Sequence, residues 1–423
     1  MTYTLAITRL GARGEGLAET EDGRVFIPYA LPGDLIRVDV RGERGHLLEL
    51  LTPSPDRVAP FCPYYAICGG CAVQALAPKP YAEWKRGLVA DALRNAGVQV
   101  EVAQLIDAHG EGRRRATFHA RSNDNTGRPA SVGFMEARAH RIVEIEACPI
   151  LAPSMAGALP AARAIAAALS PLRKPLDICV TATEAGLDVD LRGPGALSTA
   201  ERRSLMATAE RCDLARLANH GEGLIARRAP RLTIGAASVA PPPGAFLQAT
   251  EAGERVLAQL VGAGVGEARR VADLFAGTGA FALRLAAKAP VHAVEMDAPA
   301  LDALVRAARA TPVLRPISNE ARDLFRRPLA GAELDRFDAV VFDPPRAGAP
   351  AQAEALAASN VPCIVAVSCS PASFARDAGL LLAGGYGLDR VTPVDQFRHS
   401  PHVELVATFS KAVKKQRNRR LLG

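Results

Sequence analysis

Val271-Ala-Asp-Leu-Phe-Ala-Gly-Thr-Gly-Ala280 runs from a short apolar stretch directly into a pair of glycines, and an alanine-rich segment follows. That pattern predicts a strand, a tight turn and the start of a helix. The glycines let the chain turn sharply and let a ligand come close to the helix N-terminus. The rhythm continues downstream. The sequence predicts a helix over 280–288, a strand over 291–295, a helix over 299–309, strands over 338–342 and 364–368, and a helix over 371–382. A last strand, over 403–409, can be antiparallel. Strand–helix alternation of this kind implies an α/β fold with a doubly wound, mostly parallel sheet covered on both faces. Ligands of such sheets bind at the carboxyl ends of the strands.

Upstream the composition changes. Residues 1–56 alternate apolar and polar in short runs broken by glycine, which predicts a small OB-like β-barrel. Pro53, Pro55 and Pro60 read as a linker. Residues 57–240 carry a cysteine cluster, a helix over 81–96, and mixed strands and alanine-rich helices at 154–169 and 199–210, an α+β middle domain. The third domain covers 241–410, and 411–423 is a basic tail. Three domains agree with 423 residues at about 150 per domain. A net charge of +7 favours a polyanionic partner. No apolar run approaches a membrane span, the start lacks a signal-peptide pattern, and eight cysteines without a secretory signal argue against a disulfide framework, so a cytoplasmic enzyme is expected. Cys179, Cys212 and Cys363 read as small buried hydrophobes.

Several constellations carry chemistry. Asp273 to Ala280 fits a nucleotide-binding loop, and Glu295 follows Asp273 by 22 positions at the end of the next strand. An acidic side chain there can accept the ribose hydroxyls of an adenosine, common to NAD and S-adenosylmethionine. Asp343-Pro-Pro-Arg346 is a rigid turn, because two prolines fix φ and remove two donors; it tips the choice to S-adenosylmethionine. Arg346 stands where amino-group methyltransferases have an aromatic residue, which argues against that class. Cys369 precedes Pro371 at a helix start, where a thiolate would be stabilised. His402-Val-Glu404 supplies a carboxylate near a strand end. Cys62, Cys68 and Cys71, with Cys148 downstream, have the donors for a zinc ion or a [4Fe–4S] cluster; their uneven spacing favours the cluster. Arg113-Arg-Arg115 and the tail could meet phosphates.

These motifs together resemble the RNA 5-methyluridine (uracil-5-) methyltransferases, specifically the branch that modifies 23S rRNA, and the resemblance covers nearly the whole chain. It implies a Rossmann-like class I methyltransferase domain behind an RNA-binding TRAM domain. It implies a [4Fe–4S] cluster on Cys62, Cys68, Cys71 and Cys148, and S-adenosylmethionine contacts from Gln248 (in Phe246-Leu-Gln248), Phe275, Glu295 and Asp343. Cys369, in Ser368-Cys-Ser-Pro371, would be the nucleophile and Glu404 the general base. The expected reaction is methyl transfer to carbon 5 of a flipped-out uridine through a covalent cysteine–carbon 6 adduct, by a monomer. A tRNA uridine is the alternative substrate; a non-catalytic RNA-binding or ribosome-assembly factor is the alternative class. A 5-methylcytosine transferase would carry a cysteine after the Asp343-Pro-Pro turn, and this chain does not. Two positions depart from or blur the family pattern. Ala280 replaces a polar residue, which removes one cofactor hydrogen bond of about 1 kcal/mol, and Asp323 is the nearest candidate for a third-strand contact.

Overall fold

The computed structural model describes residues 1–21, 23–121, 130–169 and 174–411. Except for Lys411, the basic tail lies outside the described residues.

The amino-terminal sheet holds β1 (Thr2–Ala6), β2 (Arg9–Leu10), β3 (Gly16–Thr20), β4 (Gly23–Ile27), β5 (Leu35–Arg41) and β6 (Arg44–Thr52), in the order β1-β5-β6-β4-β3-β2. It curls around Ile7, Val25, Ile27, Ile36 and Val38. The curl requires close backbone approach: a Cβ on Gly45 would meet Ile27 and Val38 side-chain carbons at 2.6 and 2.7 Å.

Helix α1 (Pro78–Asn95) and β7 (Ile106–Asp107) come next. A seven-stranded sheet follows, built from β8 (Arg115–Arg121), β9 (Ser131–Met135), β10 (Ile142–Glu144), β11 (Leu176–Thr183), β12 (Gly186–Arg192), β13 (Arg216–Asn219) and β14 (Glu222–Ala226). Helices α2 (Ala158–Ala168) and α3 (Thr199–Arg211) cover it. Ser198 and Glu201 form a reciprocal capping box at the start of α3. A hairpin, β15 (Leu232–Ile234) and β16 (Ala237–Val239), leads into the last unit.

That unit contains α4 (Glu251–Val265), β17 (Val271–Leu274), α5 (Ala282–Leu285), β18 (Val291–Glu295), α6 (Ala298–Arg309), β19 (Ile317–Ala321), β20 (Ala339–Phe342), α7 (Pro350–Ala357), β21 (Cys363–Ser368), α8 (Pro371–Ala383), β22 (Gly387–Asp395) and β23 (Glu404–Ser410). Its sheet runs β19-β18-β17-β20-β21-β23-β22-β7. The first five strands are parallel, and β23 pairs antiparallel to both β21 and β22. Every residue of β17 and β20 is buried, as a sheet covered on both faces requires. Helices α1, α7 and α8 pack on one face and α4, α5 and α6 on the other. This is the Rossmann-like α/β fold. Although α1 and β7 precede the middle sheet in sequence, both join the carboxyl-terminal one.

Some sequence expectations need correction. The helix expected over 280–288 shrinks to the single turn of α5, followed by tight turns through Lys288. Cys179, Cys212 and Cys363 are only partly buried; Cys363 opens β21 at its edge and donates to the Gly264 carbonyl at 3.2 Å.

Candidate active site

The strand order reverses on either side of β17, and ligands of open α/β sheets bind at that switch point. The registers bring the candidate residues to one edge. Leu274 pairs with Val294 on one side and Phe342 on the other, so Phe275, Glu295 and Asp343 emerge side by side. Ser368 pairs with Leu405; one step further, that antiparallel register sets Cys369 opposite Glu404. Residues facing each other in such a pair share one face of the sheet. Glu295, Phe275, Asp343, Cys369 and Glu404 therefore line a single rim.

The glycine loop belongs to this rim. Glu295 accepts from the backbone N–H groups of Gly277 at 2.9 Å, Met296 at 2.7 Å and Asp297 at 2.8 Å, which ties the loop to the end of β18. Gly279 has φ of 96°, and a Cβ there would meet the Leu304 side chain at 2.9 Å; only glycine suits both constraints. Phe275 holds the left-handed region at φ 64°, a strain of the kind that collects at functional sites. Asp323, by contrast, spends its carboxylate on the backbone N–H groups of Phe325 and Arg326.

Two carboxyls on the rim and a third just beneath it in β17 are buried deeply enough to hold protons near neutrality. Burial, with repulsion from Asp343 and Glu295, pushes Asp273 up to about 8. Burial pushes Asp343 up to about 7. Burial and the Asp343 charge push Glu404 up to about 8, opposed by a hydrogen bond from Gln396 and by Lys85. Neither oxygen of Asp273 has a partner in full hydrogen-bond geometry, and only the Ala282 backbone N–H opposes the rise. Such a pocket suits a cation, because positive charge repays the cost of burying these groups. A sulfonium carried on an adenosine is such a ligand, and the residues present fit S-adenosylmethionine.

The thiol corrects the sequence reading. Cys369 does sit just ahead of α8, where Ser370 is the cap and accepts from the Ser373 N–H. Burial and then the carboxylates of Glu404 and Asp343 nevertheless push its pKa up to about 11. The helix terminus stabilises a thiolate by a modest amount, and burial of the thiol, with a smaller push from Glu404 and Asp343 where they are ionised, outweighs it. In the ligand-free protein Cys369 is a thiol.

Nothing in the local sequence marks Gln396 as a site residue. It is fully buried and joins the rim residues. Its Nε2 donates to Gln248 Oε1 at 2.6 Å and to Glu404 Oε1 at 3.1 Å, while Gln248 Nε2 reaches Asp343 Oδ2 at 3.5 Å. A second buried group anchors the segment leading to Glu404. Lys85 of α1 donates to Asp395 Oδ1 at 2.8 Å, to the Phe397 carbonyl at 3.2 Å and to the His402 carbonyl. Tyr81 donates to Asp395 Oδ2 at 2.6 Å and accepts from the His399 N–H at 2.9 Å. The His399 carbonyl in turn accepts from Ala72 and Val73, directly after Cys71.

Two cavities, of about 900 and 980 Å³, meet at Arg13, Arg346, Pro401 and His402. Cys369 lines the second and Gln248 the first. The first is also lined by Cys62, Cys68, Cys71 and Cys148, all free thiols, with Gly69 and Gly70 between them. The Gly70 N–H points to Cys68 Sγ at 3.4 Å. Among the described residues no three His, Cys, Asp or Glu side chains are arranged to hold a metal ion.

The arginine run expected to meet phosphates divides. Arg114 is buried, paired with Glu254 at 2.5 Å and bonded to the Gln248 carbonyl at 3.1 Å, so it braces the fold instead. Arg115 donates to the Leu247 carbonyl at 2.8 Å. Arg113 lies over the Phe397 ring and faces the first cavity. Among the described residues no helix is long and apolar enough to cross a membrane.

A Rossmann-like sheet with an acid-lined rim at its switch point and adjoining cavities lined by arginines defines an S-adenosylmethionine-dependent methyltransferase. Known proteins narrow the class. The tRNA (Uracil-5-)-methyltransferase family model matches residues 243–412. An uncharacterized RNA methyltransferase of Brucella suis is 46% identical over 97% of this chain and 98% of its own length. A 23S rRNA (uracil(1939)-C(5))-methyltransferase of Halomonas elongata is 33% identical over 95% of this chain and 88% of its own. The crystal structure of Pyrococcus abyssi tRNA (uracil-54, C5)-methyltransferase with S-adenosyl-L-homocysteine has the same fold, with a TM-score of 0.71 at 22% identity over 96% of this chain and 100% of that one. The chain belongs to the RNA uracil-5 methyltransferase family.

Proposed function

We propose that the chain methylates carbon 5 of a uridine in 23S rRNA, with Cys369 as nucleophile and Glu404 as base. The observation that carries this reading is the antiparallel register that sets the thiol opposite a buried carboxylate, beside Asp343, on the wall of an open cleft. Uracil carbon 5 is a poor nucleophile. Addition of the Cys369 sulfur to carbon 6, as its proton passes to solvent in the open cleft, moves an electron pair onto the ring as an enolate and makes carbon 5 reactive. S-adenosylmethionine, held by Gln248, Phe275, Glu295 and Asp343, supplies the methyl group and a positive charge that favours the ionised forms of the acids around it. Glu404 then takes the carbon 5 proton, and the carbon 6–sulfur bond breaks to return Cys369. Covalent catalysis of this kind divides one hard step into easier ones. Glu404, held near the operating pH by its surroundings, suits the proton transfer. Both ring carbons must be exposed, so the target uridine is flipped out or single-stranded.

In this reading residues 1–56 form a TRAM-like RNA-binding barrel, the middle sheet within 57–240 a central domain, 241–410 together with α1 and β7 the methyltransferase domain and 411–423 a basic tail, and the enzyme acts as a cytoplasmic monomer. The identity with the Halomonas protein favours rRNA; the description of the matching family favours tRNA as the second reading. Mass-spectrometric mapping of 5-methyluridine in rRNA and tRNA from a deletion strain decides between them. Loss from 23S rRNA is expected, and unchanged rRNA with depleted tRNA overturns the choice.

The four cavity cysteines would hold a [4Fe–4S] cluster. A single zinc would need four donors about 2.3 Å from one point, whereas a cube gives each thiolate its own iron; the uneven spacing of the four cysteines favours the cluster. Methyl transfer is redox-neutral, so the cluster would organise the cavity wall. Anaerobic purification should give a brown protein with iron and acid-labile sulfide; a colourless protein with stoichiometric zinc overturns this.

A further inference from the structure

We infer that Gln396 is a positioning residue for the proton-removal step: it fixes the orientation of Glu404 and favours its ionised form, in a way that depends on which end of its amide faces the base. The inference rests on the reading of Glu404 as base.

The amide orientation follows from one backbone donor. Gln396 Oε1 lies 3.4 Å from the Thr250 N–H, a group that can only donate. The oxygen must face it, so the NH2 group must face Glu404 and Gln248. Thr250 cannot move to accommodate a flip. It caps α4, accepting from the Gly253 N–H at 2.8 Å while its hydroxyl donates to the Ala108 carbonyl at 2.6 Å. Space is also fixed: a Cβ on Gly253 would meet Gln396 Oε1 at 2.6 Å and its Cβ at 2.8 Å. The chain thus holds a glycine where the helix must leave room for Gln396 and for the Thr250 cap hydroxyl, itself 2.8 Å from that Cβ position. With its NH2 group fixed, Gln396 gives one hydrogen to Gln248 Oε1 and one to Glu404 Oε1. A donor aimed at a carboxylate oxygen favours the ion over the acid.

The test compares wild type with Gln396→Met, which keeps length and apolar volume but removes both hydrogen-bonding ends. Three readouts use the same RNA: 5-methyluridine formation against pH, the level of denaturation-resistant protein–RNA adduct, and trapping by 5-fluorouridine RNA. In the fluorinated RNA carbon 5 carries no proton, so trapping reports addition and methyl transfer alone. The variant is expected to trap fluorinated RNA at the wild-type rate. Its turnover on uridine RNA should fall about tenfold at neutral pH, with the acid limb of the profile moved up by about one pH unit, and adduct should accumulate. An unchanged profile without adduct overturns the inference. So does an equal loss of trapping and turnover, which would put the effect at the methyl-donor site. Failure of the wild type itself to trap overturns the nucleophile reading, and the inference with it. Gly253→Ala, which displaces the amide without removing it, should reproduce the same signature if Gln396→Met does not fold; a wild-type profile in a folded Gly253→Ala protein also counts against it.

Discussion

Replacing Lys85 with methionine should be among the most damaging single changes in this chain, although Lys85 touches no substrate. The ammonium is fully buried, and its three hydrogens meet three acceptors: Asp395 and the carbonyls of Phe397 and His402. Burial pulls its pKa down despite the attraction of Asp395, so the pair is costly to desolvate and adds little net stability. Breaking it from one side is another matter. Lys85→Met leaves the Asp395 charge buried with only the Tyr81 hydroxyl and the Phe397 N–H, at 2.6 and 3.0 Å, and leaves two carbonyls short of a donor. Removing one partner of a buried pair costs about 3–5 kcal/mol, a large share of a typical total of about 5–15 kcal/mol. Urea unfolding can follow the lone tryptophan, Trp84, whose Nε1 donates to the Gly11 carbonyl at 3.1 Å. With a slope of about 2–3 kcal/mol/M, the midpoint should fall by roughly 1–2 M. Lys85→Met with Asp395→Asn removes both charges and should recover most of that loss. A midpoint unmoved by the single change, or a double variant as unstable as the single, would refute the reasoning.

Cys369→Ala should abolish both turnover and trapping of 5-fluorouridine RNA; normal methylation by that variant removes the assigned nucleophile. Glu404→Gln should let a covalent adduct with ordinary uridine RNA accumulate, and a folded variant that yields none argues for another base. The ligand-free protein should lose stability as pH rises. Asp273, Asp343 and Glu404 have folded pKa values of about 8, 7 and 8, above their unfolded carboxylate values. The folded state therefore binds protons more tightly; their contribution is full below about pH 4 and is lost as pH climbs through 7 to 8. Melting scans between pH 6 and 9 should show a falling Tm that saturating S-adenosylmethionine flattens. A Tm that rises over that window contradicts the burial of these carboxyls.

The parallel sheet was legible because β17, β20 and β21 are short, apolar and spaced by helical segments, which is what strands buried on both faces look like. Strand β22 was not: Asp389, Arg390 and Pro393 break any alternation, and its outer partner β7 comes from a distant segment. The motif residues were legible through local spacing, since Asp343, Cys369 and Glu404 each close or open a strand. Gln396 was not, because its meaning comes from partners 148 and 8 positions away. The rise in the Cys369 pKa had the same origin. The helix start beside it is local and readable, but the burial that opposes it, and the acids that add to it, come from the packing of other strands.

The Lys85 ammonium, the Tyr81 hydroxyl and the amides of Ala72 and Val73 all grip the peptide between Asp395 and Glu404. A fragment cut to residues 243–412 would keep the rim but lose every one of these grips. It should bind the methyl donor and turn over poorly. During synthesis the grips emerge first and the peptide they hold emerges last, so assembly of the catalytic centre waits for nearly the whole polypeptide to leave the ribosome.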